Sequence, residues 1–484
     1  MYGDDDSDPL SSALGSQNYG AIGGFRQNAH ATAANRERVT AAASRAREAS
    51  KDWWVSLAPP SKEERELQRK QEKFEAGVQN GTIIGVSNLR VRKRVLTRKM
   101  YLQAPGNNDA PPVAGNGKAN AHDADAPTRD VATKPLPISD GYLERRIKVA
   151  QLVTSLRHPN VLAHFGVVRG EQQKASQGLP SLELVMEWCV GGSLAGHMSE
   201  KAPPKSRRLR WCVETAWAAA AMHSVGLAHR DYKPSNLLLI TAPPNPRTLQ
   251  DTAAPNAEER AKLAAAAEPA VAALEKRDPP APDGKSAWWT ARMVVSDFDV
   301  AVEPAKKTNK CTTPRTGTFK YMAPEVFQME DSVSHALFGS GASSDDSDAG
   351  GYDAYAIDVF SFGVVMWELL EWRSAYQDRY MMAEDIAHGV VRSASFRPSQ
   401  KQEIGGLSDL PSRMSSLLRP YLGFLLPPEP EPVPKSMLEL CEKCWHANPE
   451  KRPTMSAVLT ELVKLVQEDE DVIAWSSRSF TTKS

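Results

Sequence analysis

Short, mostly apolar runs mark the first third of the chain, in "GTIIGV" (81–86), "NVLAHFGVV" (160–168) and "LELVMEW" (182–188). Short runs of this kind, rich in branched residues and bounded by Gly, Asn or Pro, predict strands. Beyond them the spacing changes to three and four residues, as in "LCEKCWHANP" and "YAIDVFSFGVVMWELL", which predicts helices. The pattern therefore predicts an α+β, bilobal arrangement, with a β-rich lobe over about 78–188 and an α-rich lobe over about 189–467. Four stretches break the periodicity and are expected as loop insertions: 104–129, 241–287 (with one helical run inside it), 330–351 and 400–433. Loops of that length are uncommon in compact domains and are functional or disordered where they occur.

Outside this core the patterning weakens. Residues 1–31 are rich in Gly, Ser, Asn and Asp and read as disordered. Residues 32–50 are Ala/Arg-rich and read as helical. In "PPSKEERELQRKQEKFEAG" a capping box (Ser61, Glu64) opens a polar helix and Gly77 closes it. Trp53 and Trp54 are the apolar exception in this 1–77 extension, a pair suited to anchoring a partner. The last segment, 468–484, begins with "QEDEDV" and is expected as a solvated acidic and polar tail.

Composition narrows the picture. Hydrophobic residues make up 41% and charged residues 24% of 484, and Lys plus Arg equals Asp plus Glu at 59 each, so net charge points to neither nucleic acid nor an anionic membrane. Five cysteines are too few for a disulfide scaffold. Cys441 and Cys444 form a C-x-x-C without a second pair at zinc spacing, and are expected in the core face of a helix. The acidic start "MYGDDDSDPL" does not resemble a targeting segment, and no apolar run is long enough to span a bilayer. A reducing, cytoplasmic setting is expected.

The chemistry concentrates in "HRDYKPSN" (229–236) and "VVSDFDVA" (294–301). Asp231 can accept a proton, Lys233 can sit beside a phosphate, and Asn236 with Asp297 can offer hard oxygens to magnesium. Phosphoryl transfer asks a protein for positioning and charge neutralisation, and these residue types supply both.

In order and spacing these motifs resemble those of the eukaryotic protein kinases. "HRDYKPSN" resembles the catalytic loop, with His229 and Arg230 leading it, and "DFDVA" the metal-binding strand end with Phe298. "GTFKYMAPE" resembles the close of the activation segment, and Asp358 in "YAIDVFSFGVVMWELL" the brace of the catalytic loop. The resemblance implies an ion pair between Arg452 in "CWHANPEKRPTM" and Glu325, and a contact from Thr318 toward Asp231 and Lys233. It makes Met186 the gatekeeper, with Glu187 to Cys189 offering backbone groups to adenine. "DVATKPLP" makes Lys134 the contact for the α- and β-phosphates, and "IGVSNLRVRKRV" makes Gly85 the first glycine of the phosphate loop. ATP and Mg2+ are the implied cofactors, and a protein Ser/Thr the implied substrate. "KPSN", "GTFKYMAPE", the "CW" to "RPTM" ending and Arg397-Pro398 resemble the serine/threonine kinases of the tyrosine-kinase-like branch.

Departures from the family pattern are specific. The regulatory helix should carry a glutamate nine residues before His158, where Val149 stands; Glu144, five residues away, points about 140° round a helix. Ser87 and Arg90 occupy the places of later loop glycines, Pro135 follows Lys134, and Asp299 replaces the glycine of "DFG". Arg230 can pair with a phosphorylated activation segment, for which Thr308, Thr312, Thr313 and Thr316 are available. Two functions follow. The first is an active serine/threonine kinase with Asp231 as base. The second is a pseudokinase scaffold binding partners through its N-terminal helices or insertions.

Overall fold

The computed structural model describes residues 92–97 (as backbone), 128–136, 142–169, 182–241, 256–278, 291–305, 308–311, 317–327, 351–379, 381–398 and 432–478. Gly85, the 1–77 extension, most of the 104–129, 330–351 and 400–433 insertions, and Thr312, Thr313 and Thr316 lie outside the described residues. The chain divides into two compact units, Met1–Arg145 with Phe165–Val185, and Arg146–His164 with Met186–Ser484.

The first unit is built on a four-stranded sheet of β1 (Arg92–Thr97), β2 (Thr128–Leu136), β3 (His164–Arg169) and β4 (Leu182–Glu187), in the order β1-β2-β4-β3. β1 and β2 run antiparallel from Arg92↔Thr133 to Thr97↔Thr128. β2 opens at Thr128, so the expected insertion over 104–129 ends before that residue. Val131, Ala132, Val167, Leu184 and Val185 are buried; consecutive residues such as Val131 and Ala132 point to opposite faces, so both faces are covered there. Lys134 lies on β2 and is only 7% exposed, so it is not a surface-loop lysine. Pro135 follows the last residue paired with β1, and its missing N–H costs that ladder nothing. The helix α1 (Tyr142–Leu156) comes next and enters the second unit at Arg146.

The second unit is helical. Its centre is α2 (Lys205–Ser224) and α4 (Ala354–Glu371), both buried along nearly their whole length. Asp353 starts α4 by accepting the N–H groups of Tyr355 (2.8 Å) and Ala356 (3.0 Å), a side-chain N-cap. Trp372 ends it in the left-handed region at φ 52°. Around this pair stand α3 (Ala257–Arg277), α5 (Ala383–Arg392), α6 (Lys435–Cys444), α7 (Met455–Glu468) and α8 (Glu470–Ser477). Gly363 on α4 lets α6 approach: a Cβ there would meet the Cys444 Cβ at 2.7 Å. Cys441 and Cys444 are both fully buried and burial pushes both thiols up, so this C-x-x-C is core packing.

Two expectations are revised here. The 241–287 segment holds the one helical run expected in it, but that run belongs to the core rather than to a loop. β5 (Leu237–Ile240) and β6 (Arg292–Val295) pair antiparallel, and the chain between them leaves to build α3 before returning. Leu263, Ala267, Ala270 and Leu274, spaced four, three and four, form a buried stripe against α2 and α7. Asp278 then takes Arg207 at 2.5 Å and Ser206 at 2.5 Å, and Glu275 takes Arg210 at 2.9 Å. The "QEDEDV" segment is likewise no solvated tail. Asp469 caps α8 by accepting from Asp471 and Val472, and Val472 and Trp475 are buried, with Lys205 and Arg208 over the Trp475 ring.

Candidate active site

The β5–β6 pair sets the geometry of the site. Its register places Leu237 opposite Val295, and the Ser296 N–H and hydroxyl both donate to the Asn236 carbonyl at 2.9 Å. Asn236 thus stands opposite Ser296, the residue before Asp297, just beyond the paired ends. Asn160 holds the far side of β6, accepting the Val295 N–H on its carbonyl (2.9 Å) and donating its amide to Met293 O (2.8 Å). Its neighbour His158 is kept neutral: burial, then the charges of Arg260 and Arg292, lower its pKa well below the usual value, and its Nδ1 accepts the Asn160 N–H.

Asp231 is the hub. Its Oδ2 lies 2.6 Å from Lys233 Nζ and 3.0 Å from the Asn236 amide nitrogen, and its Oδ1 accepts from the Thr318 hydroxyl at 3.0 Å. Lys233 also donates to Thr318 Oγ1 at 2.8 Å, closing the ring. The Asn236 amide nitrogen further donates to Asp231 O at 2.9 Å. Both contacts are to oxygens, so the nitrogen is assigned and Asn236 Oδ1 turns away from Asp231. Gly317 fits here because its φ is +118° and an added Cβ would meet Arg230 O at 2.9 Å.

The loop carrying Asp231 is held from beneath by Asp358. That carboxylate, 0% exposed, accepts the backbone N–H groups of Arg230 (2.6 Å) and His229 (2.7 Å) and lies 2.9 Å from His223 Nε2. Arg230 sits at φ 66°, a strained conformation for a non-glycine, and these bonds hold it there. The ring of His229 bridges the two motifs. Its Nε2 donates to Ser296 O at 2.9 Å, so its Nδ1 is the acceptor for the Asp231 N–H at 3.2 Å. Phe298 packs edge-on against His229 (5.3 Å) and His164 (5.6 Å), and Asp297 takes φ 64°.

The remaining sequence-derived residues fall as follows. Arg452 pairs with Glu325 through two bonds of 2.6 and 2.9 Å and also donates to His446 O and Ala356 O. Glu368 anchors the segment between Thr318 and Glu325: Lys320 (2.6 Å), Tyr321 Oη (3.0 Å) and the Ala375 N–H (2.7 Å) converge on it. Burial raises the pKa of its carboxyl, and Lys320 opposes that shift. Arg230 is already engaged by neutral acceptors, Val300 O (2.7 Å), Tyr352 Oη (2.9 Å) and Cys311 Sγ (3.5 Å). Met186 and Glu187 are buried at the end of β4. The Glu187 N–H is committed to Ala163 O (2.9 Å) and the Cys189 carbonyl to Gly192 N–H (3.2 Å), so not every backbone group from 187 to 189 is available to a ligand. Lys134 belongs to the first unit.

Asn236 Oδ1 and the Asp297 carboxylate are hard oxygen donors of the type magnesium takes with phosphate. Among the described residues no group of three or more His, Cys, Asp or Glu is placed to hold a metal ion. His223, Ser296, Asn160, Lys320 and Glu368 escaped the sequence reading. Their partners are distant in sequence.

A family model described as protein tyrosine and serine/threonine kinase matches residues 115–404. Curated relatives include Mitogen-activated protein kinase kinase kinase 10 of Mus musculus, 25% identical over 321 residues, which covers 66% of this chain and 23% of that protein. Mitogen-activated protein kinase kinase kinase 11 of Homo sapiens is 24% identical over 319 residues, covering 65% of this chain and 25% of that protein. The matched stretch thus spans about a quarter of those relatives' length.

Proposed function

This chain belongs to the protein kinase family, of the serine/threonine type and resembling its tyrosine-kinase-like branch, and on that premise we propose that it transfers the γ-phosphoryl group of ATP to serine or threonine hydroxyls of proteins. The observation that carries the reading is the closed ring of Asp231, Lys233 and Thr318, with Asn236 bonded to Asp231. Asp231 orients the incoming hydroxyl and accepts its proton. Lys233, an arm's length away, meets the charge that develops on the transferring group. Thr318 fixes both side chains, so that neither has to reorganise when substrate arrives. Asn236 and Asp297 would hold magnesium, which supplies charge neutralisation on the phosphate oxygens when bound. Lys134 and Gly85 would contact the phosphates, and Met186, Glu187 and Cys189 the adenine. The names of the relatives make other protein kinases the first substrates to try. The setting we propose is cytoplasmic; among the described residues no helix is long and apolar enough to cross a membrane.

A second reading, a non-catalytic scaffold, is favoured by Val149, buried at the position where the family pattern asks for a glutamate. Nucleotide binding separates the two. Under the kinase reading, Mg·ATP at 100 times its Kd stabilises the protein by about 2.7 kcal/mol, and Asp297→Asn removes most of that gain. Absence of any shift with the wild-type chain would support the scaffold.

A further inference from the structure

On α1 the residues Arg146, Val149, Ala150 and Val153 share one face and all are buried. A guanidinium on a buried face requires a partner, and Arg146 Nη2 pairs with Asp299 Oδ1. Arg146 is 6% and Asp299 24% exposed on their side chains. The two departures from the family pattern thus meet: the helix lacks its glutamate at Val149, and three residues earlier it offers a cation to the aspartate that stands in the glycine's place. Asp299 lies two residues beyond Asp297, on the short helical turn Phe298–Val300. A second pair links the same two segments, Lys148 to Glu303 at 2.9 Å, but it is largely exposed and contributes little.

We propose that Arg146 and Asp299 are the positioning pair of this kinase, tying α1 to the strand end that carries Asp297 with the charges reversed, cation on the helix and anion on the segment after the metal-binding residue. This rests on the functional reading above. Glycine at 299 would take this carboxylate away from the buried Arg146. Glutamate at 149 would set a second anion on a helix face that already has its ion pair. The substitutions at 149 and 299 therefore belong together. The pair also gives the Asp299 charge a counter-ion on the helix, so the extra anion beside Asp297 is balanced. Neither residue touches the reacting atoms; both act through the placement of Asp297 and α1.

A charge-swap cycle tests the pair: Arg146→Asp, Asp299→Arg, the double swap, and Arg146→Lys as the conservative variant. The readouts are kcat and KM for ATP with Asp231→Asn run beside them, and amide hydrogen exchange over residues 146–156 in nucleotide-free protein, which needs no turnover. Each single reversal is expected to lower kcat/KM for ATP about tenfold or more and to lower exchange protection of that segment by a similar factor. The double swap and Arg146→Lys should recover most of both. Should a reversal fail to fold, Arg146→Met and Asp299→Asn supply the same cycle with near-isosteric side chains. Additive effects in the double variant, or unchanged exchange in the singles, would overturn the pair. If wild type transfers no more phosphate than Asp231→Asn, the kinase reading fails instead, and non-additive exchange would still uphold the linkage of α1 to residue 299.

Discussion

Asp358 has no exposure to water, and its carboxylate accepts two backbone N–H groups from the loop that carries Asp231. Removing it orphans both donors in the interior. Asp358→Ala is therefore expected to cost about 3 kcal/mol or more in urea unfolding, and to release the φ 66° conformation of Arg230. A loss under about 1 kcal/mol would contradict this account of the loop. Cys189 behaves differently from an ordinary half-exposed thiol. Burial, and then the nearby Glu187 charge, push its pKa up to about 12, so the reactive thiolate appears only as pH rises toward that value. Iodoacetamide at neutral pH is expected to spare Cys189 in the folded protein and to label it after unfolding; equal labelling rates would refute the shift. At this scale the sequence reading reached Asp231, Asn236, Asp297, Asp358 and the Glu325–Arg452 pair because each sits in a motif of fixed spacing. It could see that Asp299 was out of place but not what answered it, because Arg146 lies on another element more than 150 residues earlier in the chain.

The helix α3 shows why elements are harder to read than motifs. Its buried stripe is two leucines and two alanines, too small and too weakly apolar to stand out from the Pro/Ala-rich stretch around it, and Pro269 interrupts the helical pattern. What makes it part of the core is the shallow face of α2, itself rich in alanine, on which a helix of small residues can lie close. The same reasoning covers α8, where an acidic run that reads as tail supplies the N-cap and first turn of a helix. Leu274→Ala is expected to destabilise the protein by about 2–4 kcal/mol, as a core leucine does, measured by denaturant unfolding. A surface loop would respond by no more than about 0.5 kcal/mol. The strands and α4 were legible because short runs rich in branched residues, and a long, mostly apolar run, leave few alternatives.

For the molecule as a whole, the order of strand-rich and helix-rich parts was readable from periodicity, but the boundary differs: residues 146–164, expected in the first lobe, belong to the second compact unit. The sequence pattern could not reveal what meets Asp299, since that is a matter of which charges come together in space. The helical unit carries Asp231, Lys233, Thr318 and Asn236 already in contact, so the geometry on which the proposed transfer relies is in place before any ligand arrives. The central claim is that this ring of residues transfers phosphate. The most direct measurement is magnesium-dependent transfer from ATP to a serine/threonine substrate, and to the chain itself, by wild-type protein and by Asp231→Asn. The account predicts transfer by the wild type that falls by about 10²–10⁴-fold in the variant, without loss of Mg·ATP binding. Equal rates for the two proteins, or no transfer from a wild-type chain that binds Mg·ATP, would contradict it.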